Sequence, residues 1–252
     1  MSVRKRIIAT AAPDNLFKVD KDDVKLEQAA AKAFHNIAAK AIYVTKRARP
    51  DISLAIVFLT TRVKEPDIDD WRKLRHLIDY LRATRELPLI LGADGTGVLS
   101  WYVDALFAVH PDMRGHTGGT MTMGRGFPLD KSTKHKLNTR SSTESEIVAV
   151  DDLIPQILWA RLFMRAQGFE VRENILYQDN KSAMLLETNG RASSSKLTKH
   201  INIQYYYVAD RVAKGDLRIV WCPTDKMIAD FLTKPLQGKA FVEFRDLLMG
   251  VV

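Results

Sequence analysis

NILYQDNKSAMLL, residues Asn174 to Leu186, is the stretch on which the fold turns. Its first half is an apolar run of strand length, its second half has the spacing of a short helix, and Asp179 stands at the junction. Downstream the alternation continues. KHINIQYYYVADRVA reads as a helix, LRIVWCP as a strand, and DKMIADFLTKPL with KAFVEFRDLLM as a helical end. Upstream lies a long helix from about Ser142 to Ala166, and before it LSWYVDALFA, GHTGGTMTMG and FPLDKSTKHKLNT form short antiparallel strands joined at Gly- and Pro-marked turns. Strands first, then strand and helix in turn, predict an α/β chain: a mixed sheet with helices on its faces.

Before about residue 90 the periodicity is helical instead. LEQAAAKAFHNIAAKAIYVTKRA, SLAIVFLTTRV and DDWRKLRHLIDYLRATREL predict three packed helices, the last with Trp71, Leu74, Leu77, Ile78 and Leu81 on one face. Asp69 or Asp70 would start that helix, and Pro50 separates the first two. Lys46, Arg47, Arg49 and Arg72 read as a solvated basic face. The chain is thus expected to divide into a flexible N-terminal segment over 1–25, a helical segment over 26–90 and the sheet domain over 91–252.

Composition sets the class. At 252 residues, 46% hydrophobic and 27% charged, the chain is globular rather than disordered. No apolar run approaches the ~18 residues that cross a bilayer, so a soluble protein without a membrane partner is expected. MSVRKRIIATAAP has too short an apolar stretch for a signal peptide. The single cysteine, Cys222, excludes an internal disulfide and suits a reducing intracellular compartment, cytoplasmic or nuclear. A net charge of +8 favours a polyanion, and nucleic acid is the partner class expected.

Four acids stand out against this background. Asp104 interrupts the strand WYVDALFAVH, where a carboxylate loses hydration unless a cation or several donors replace it. In SSTESEIVAVDDLIPQILWA, Glu146 shares the helical stripe of Val150, Leu153 and Ile157 and points toward the sheet. Thr143 could use Glu146 in a capping box, but Ser141 with Glu144 forms an equally good one and leaves Glu146 free. Pro155 should kink or interrupt the same helix. Asp179 sits at the carboxyl edge of a strand, where such sheets gather ligands, and also where a helix N-cap belongs. In WCPTDKMIADFLTKPL, Asp225 occupies the N-cap position and Asp230 has no capping duty. Asp104, Glu146, Asp179 and Asp230, with no Cys or His partner, suit hard cations such as Mg²⁺ or Mn²⁺. In a basic protein the matching substrate is a phosphodiester, on which two ions about 3.5–4 Å apart can act together.

KLNTRSSTESEIVAVDD, LYQDNKSAMLL, TKHINIQYYYVADRV and MIADFLTKPLQG resemble the ribonuclease H region ending the Pol polyprotein of Ty1/copia-type LTR retrotransposons. RARPDISLAIVFL and DDWRKLRHLIDYLRATRELPL resemble the stretch after the reverse transcriptase palm of the same polyprotein. The resemblance runs from about Lys32 to Gly250. It implies a ribonuclease H-like mixed five-stranded sheet that cuts the RNA strand of an RNA–DNA hybrid with two divalent ions. The family's acids fall on Asp104, Glu146, Asp179 and Asp230, and other segments of Pol become possible partners.

The sequence departs from the family at three places. It has no paired-aspartate polymerase motif, since YVDA at Tyr102 ends in Ala105, and polymerase activity is not expected from this chain alone. Pro223-Thr224-Asp225-Lys226 stands where many ribonucleases H carry a loop histidine, and Leu106 where relatives place a small polar residue. These departures keep open a second reading, a catalytically silent nucleic-acid-binding remnant of a decayed or domesticated element. For substrate contacts, Lys131, Lys134, Lys136 and Arg140 precede the long helix, and Arg191, Lys196 and Lys199 flank a serine-rich loop. Thr143 and Asn180 are candidates for reading the 2′-hydroxyl. His200 and Tyr205, Tyr206 and Tyr207 are read as packing residues.

Overall fold

Alanine and other strong helix formers dominate Gln28–Thr45, which forms α1 and buries Phe34, Ala38, Ala41 and Thr45 at steps of four, three and four residues. The structure, a computed structural model, describes residues 9–189 and 202–252. Pro50 opens a single 3₁₀ turn over Pro50–Ile52, as its fixed φ favours, and α2 (Ser53–Thr60) follows with apolar residues buried almost all round. α3 (Ile68–Ala83) starts earlier than the sequence suggests. Asp67 is the N-cap: its carboxylate accepts from the Asp70 N–H at 2.8 Å while Asp70 accepts from the Asp67 N–H at 3.1 Å. Its buried face is turned from the predicted one toward Lys73 and Tyr80, because both find polar partners inside.

The chain divides into two compact units, Met1–Ile90 with Lys234–Val252, and Leu91–Thr233. The boundary at residue 91 is where the periodicity changes. The expected end of the sheet domain at 252 is not observed: the last helix, Gly238–Met249, buries Phe241, Leu248 and Met249. Phe241 meets the Tyr80 ring edge-on at 5.8 Å, and the Ile90 N–H donates to the Met249 carbonyl, both within the first unit. Nor is the whole of 1–25 a free segment. Leu16 is completely buried, Lys73 donates to the Lys18 carbonyl, and Lys25 bridges to Asp67.

The second unit carries the sheet. A two-residue ladder joins β1 (Gly92–Ala93) to β4 (Gly124–Arg125). β2 (Val98–Leu106), β3 (His116–Thr122) and β5 (Leu129–Lys134) form the antiparallel meander that the turn signals predict. After α4 (Ser142–Ala166), β6 (Glu173–Gln178) pairs with β2 in parallel. α5 (Lys181–Asn189) and α6 (Asn202–Ala213) lead to β7 (Arg218–Trp221), parallel to β6. The order β5-β3-β2-β6-β7 is the expected mixed five-stranded sheet with flanking helices.

Alternation along β2 sends Leu99, Trp101, Val103 and Ala105 into a core with Ala149, Val150, Leu153, Ile154 and Ile157 of α4. At roughly 25 cal/mol per Å² this apolar burial is the main stabilisation of the unit. α4 runs on through Pro155, which lies on its exposed side. The expected helix over DKMIADFLTKPL is instead two 3₁₀ turns, Thr224–Lys226 and Ile228–Leu232. Pro235 closes the run soon after, so Ile228–Leu232 has no room to lengthen.

Candidate active site

The register of the sheet brings two acids together. β2 and β6 run parallel with Tyr102 opposite Tyr177; two residues further along the chain stand Asp104, still on β2, and Asp179, just past the end of β6. Adjacent strands lie about 4.8 Å apart, so the two carboxylates leave the same edge of the sheet as neighbours. α4 supplies the third. Ser141 caps that helix by accepting from the Glu144 N–H at 3.2 Å, and Glu144 accepts from the Arg140 N–H. The cap therefore uses Glu144 and not Glu146, and Glu146 is 5% exposed in the site. One oxygen from each of Asp104, Glu146 and Asp179 lies within 4.8 Å of the others.

Asp179 is free of the capping duty that the sequence left open. Asn180 is the N-cap of α5, its Oδ1 accepting from the Ala183 N–H at 3.0 Å. That occupies the Asn180 carbonyl oxygen, one of the groups expected to read a 2′-hydroxyl. Thr143 is half-buried in the first turn of α4. Asp225 is no N-cap either: Pro223 precedes the turn and Asp225 is exposed within it. Asp230 is buried on the second 3₁₀ turn, and it does not join the three converging carboxylates. It lies at the same end of the sheet, since the Thr233 hydroxyl that donates to Asp104 also donates to the Asp230 carbonyl at 3.3 Å.

Burial, then the charges of Asp104 and Asp179, push the Glu146 carboxyl well above its ordinary range, against an opposing hydrogen bond from Gln178. Carboxylates held this close share protons when no cation stands among them. An oxygen-only donor set of this size, without the Cys or His that zinc sites favour, suits a hard divalent cation. The residues present therefore fit Mg²⁺ or Mn²⁺.

Each of the three acids also accepts from a neutral side chain that periodicity could not reveal. Thr233 Oγ1 donates to Asp104 Oδ2. Gln178 Nε2 donates to Glu146 Oε2 at 3.3 Å, and Thr224 Oγ1 to Asp179 Oδ2 at 3.0 Å. Of the basic candidates, Lys134 is paired with Asp112 at 2.7 Å and Lys131 donates to the Asp152 carbonyl, whereas Lys136 and Arg140 are exposed. Arg191, Lys196, Lys199 and His200 lie outside the described residues. Tyr206 and Tyr207 are each 38% exposed, and Arg211 covers the Tyr207 ring at 5.1 Å.

Comparison with known proteins gives the site its context. The chain is 32% identical over 198 residues to the retrovirus-related Pol polyprotein from transposon RE2 of Arabidopsis thaliana, covering 78% of this chain and 14% of the relative. With that from transposon TNT 1-94 of Nicotiana tabacum it shares 27% identity over 208 residues, 82% of this chain and 15% of the relative. Its homologues are Ty1/copia-type Pol polyproteins. The chain spans about a seventh of the length of these curated relatives. A shorter relative, secreted RxLR effector protein 161 of Plasmopara viticola, is 28% identical over 119 residues, covering 47% of this chain and 84% of the effector. No protein-family model matches the chain. Similar solved structures are ribonucleases H: LC11-RNase H1 from compost (TM-score 0.41, 16% identical, 54% of this chain and 93% of that one) is one. The same enzyme in complex with an RNA/DNA hybrid is another, at a TM-score of 0.37 and 14% identity over 51% of this chain and 88% of that one.

Proposed function

We propose that this chain is the ribonuclease H part of a retrotransposon Pol polyprotein, a metal-dependent endonuclease hydrolysing the RNA strand of RNA–DNA hybrids. The observation that carries this reading is the convergence of Asp104, Glu146 and Asp179 at the carboxyl edge of two parallel strands. Asp104, Glu146 and Asp179 would hold two divalent cations, with Asp230 as the fourth acid. Bound there, such ions supply an activated water and stabilise charge on the departing oxygen. The chain's own contribution is to keep three carboxylates together in a partly dehydrated site, and to steer the polyanion with its +8 charge. Lys136 and Arg140, together with Lys134, Lys196 and Lys199, would contact phosphates, while Thr143 and Asn180 would meet the RNA sugar edge.

The test is incubation of the purified chain with a hybrid labelled on its RNA strand, with and without Mg²⁺. Mg²⁺-dependent cleavage of the RNA strand, absent on double-stranded DNA, is the expected outcome. Absence of cleavage, with the hybrid still bound, would favour the silent remnant. The relative named as a secreted effector, of which the alignment covers 84%, is the observation on the side of that second reading.

A further inference from the structure

We propose that Thr233 and Gln178 are positioning residues of the ion site: neutral donors that hold Asp104 and Glu146 in the ion-binding arrangement before any ion arrives, with Gly118 admitting Thr233 to its place. The proposal rests on the ion-binding reading above. Three carboxylates within 4.8 Å of one another repel, and burial strengthens that repulsion. Left to themselves they would rotate apart or take up protons. A lysine or arginine donor would hold them, but its charge would also stand in for the cation. Hydroxyl and amide donors fix direction without cancelling the negative potential that draws a divalent ion.

Both donors are themselves fixed. Thr233 and Gln178 are each 0% exposed. Gln178 uses its Oε1 to accept from the Asn180 N–H at 3.0 Å, which turns its amide nitrogen toward Glu146. Gln178, Asp179 and Asn180 thus divide three tasks among consecutive residues: one holds Glu146, one offers an oxygen to the cation, one caps α5. Thr233 ends the 3₁₀ turn that packs over β2 and β3, and Asp104 lies opposite Gly118 in the β2–β3 ladder. A Cβ at Gly118 would stand 2.6 Å from Thr233 Cγ2 and 2.9 Å from the Ala229 carbonyl oxygen. Only glycine lets the turn approach closely enough for the hydroxyl to reach Asp104.

Isothermal titration of the full chain with Mn²⁺ tests this. Relative to the parent, Thr233→Val and Gln178→Met should each weaken Mn²⁺ binding by about 10–100-fold, the range for lost partners of metal ligands. Thr233→Ser, which keeps the hydroxyl, should stay near the parent, and Gly118→Ala should mimic Thr233→Val. Ion-free melting curves give the second readout. Lower melting temperatures with unchanged Mn²⁺ affinity would make both residues merely structural and overturn the proposal. Should Thr233→Val not fold, Gln178→Met and the contrast between Thr233→Ser and Gly118→Ala decide by the same criterion. A parent that binds Mn²⁺ without cutting the hybrid defeats the hydrolase reading alone. A parent that binds no Mn²⁺ defeats the ion site itself, and positioning with it.

Discussion

Two regions of this molecule bury acids to the same depth and treat them in opposite ways. In the helical unit Asp51, Asp67 and Asp70 are 2%, 2% and 1% exposed, and each is met by a cation. Arg49 pairs with Asp51 at 2.7 Å, Tyr80 donates to the same carboxylate, and Arg62 reaches both Asp67 and Asp70 at 3.0 Å. At the sheet edge Asp104 and Glu146 are 3% and 5% exposed, crowd against Asp179, and take hydrogen bonds from a hydroxyl and an amide. Burial alone therefore does not distinguish the two sets. On the ion-binding reading, the sheet-edge acids differ in that like charges are drawn together, with a hydroxyl and an amide among their donors, an arrangement that lowers stability unless a cation arrives.

The largest test of this contrast is Asp104→Asn. Removing one of three repelling charges at nearly constant shape should cut hybrid cleavage by at least about 10³-fold, roughly 4 kcal/mol of barrier. The ion-free protein should melt no lower than the parent, and the rise in melting temperature that Mg²⁺ gives the parent should shrink. Paired melting curves with and without Mg²⁺ check both statements, and clear destabilisation with an intact Mg²⁺ response would make Asp104 structural. Next in size is Asp51→Ala in the other region. It strands the Arg49 guanidinium, whose side chain is 8% exposed, and should cost about 3–5 kcal/mol in denaturant unfolding. Mn²⁺ affinity should not change, and a matching loss of ion binding would erase the distinction between the two regions.

The order of elements was legible because each has a period. Alternation in β2, the helical stripe of α1, and the strand-to-helix switch around Asp179 all appear in the structure where the residues place them. Asp104, Glu146 and Asp179 were legible because a charge on an apolar face breaks that period. Thr233, Gln178 and Thr224 were not, since a neutral polar residue breaks nothing and its partner lies 129, 32 or 45 positions away in the chain. The C-terminal boundary escaped for a related reason: helical spacing in KAFVEFRDLLM shows which face is buried, but not which unit receives it. The cap of α3 fell on Asp67 because three aspartates lie within four residues, and only the reciprocal bond with Asp70 separates them.

The remaining effect is spread over pH and concerns acids and bases buried outside the site; it asks whether neutral holding is general in this unit. Glu187 on α5 is fully buried, has no hydrogen-bond partner among the described residues, and its carboxyl is pushed by burial up to about 8. Unfolded, it would titrate near 4.3. Between those values the folded chain holds a proton that the unfolded chain has released, so stability falls as pH rises, by up to about 1.4 kcal/mol per unit. The buried histidines act in the other direction. His110 is driven down to about 4, by burial first and then by the Lys134 charge, and burial also lowers His116 and His135. Their neutral forms stabilise the fold above about pH 6.5, and that contribution is lost as pH falls toward 4. Denaturant unfolding across pH should therefore show a maximum with two limbs. Glu187→Met should flatten the alkaline limb and raise stability above about pH 8 while leaving the acid limb in place. An alkaline limb that survives the substitution would mean that Glu187 is ionised in the fold, held by a partner, and compensated after the manner of Asp51.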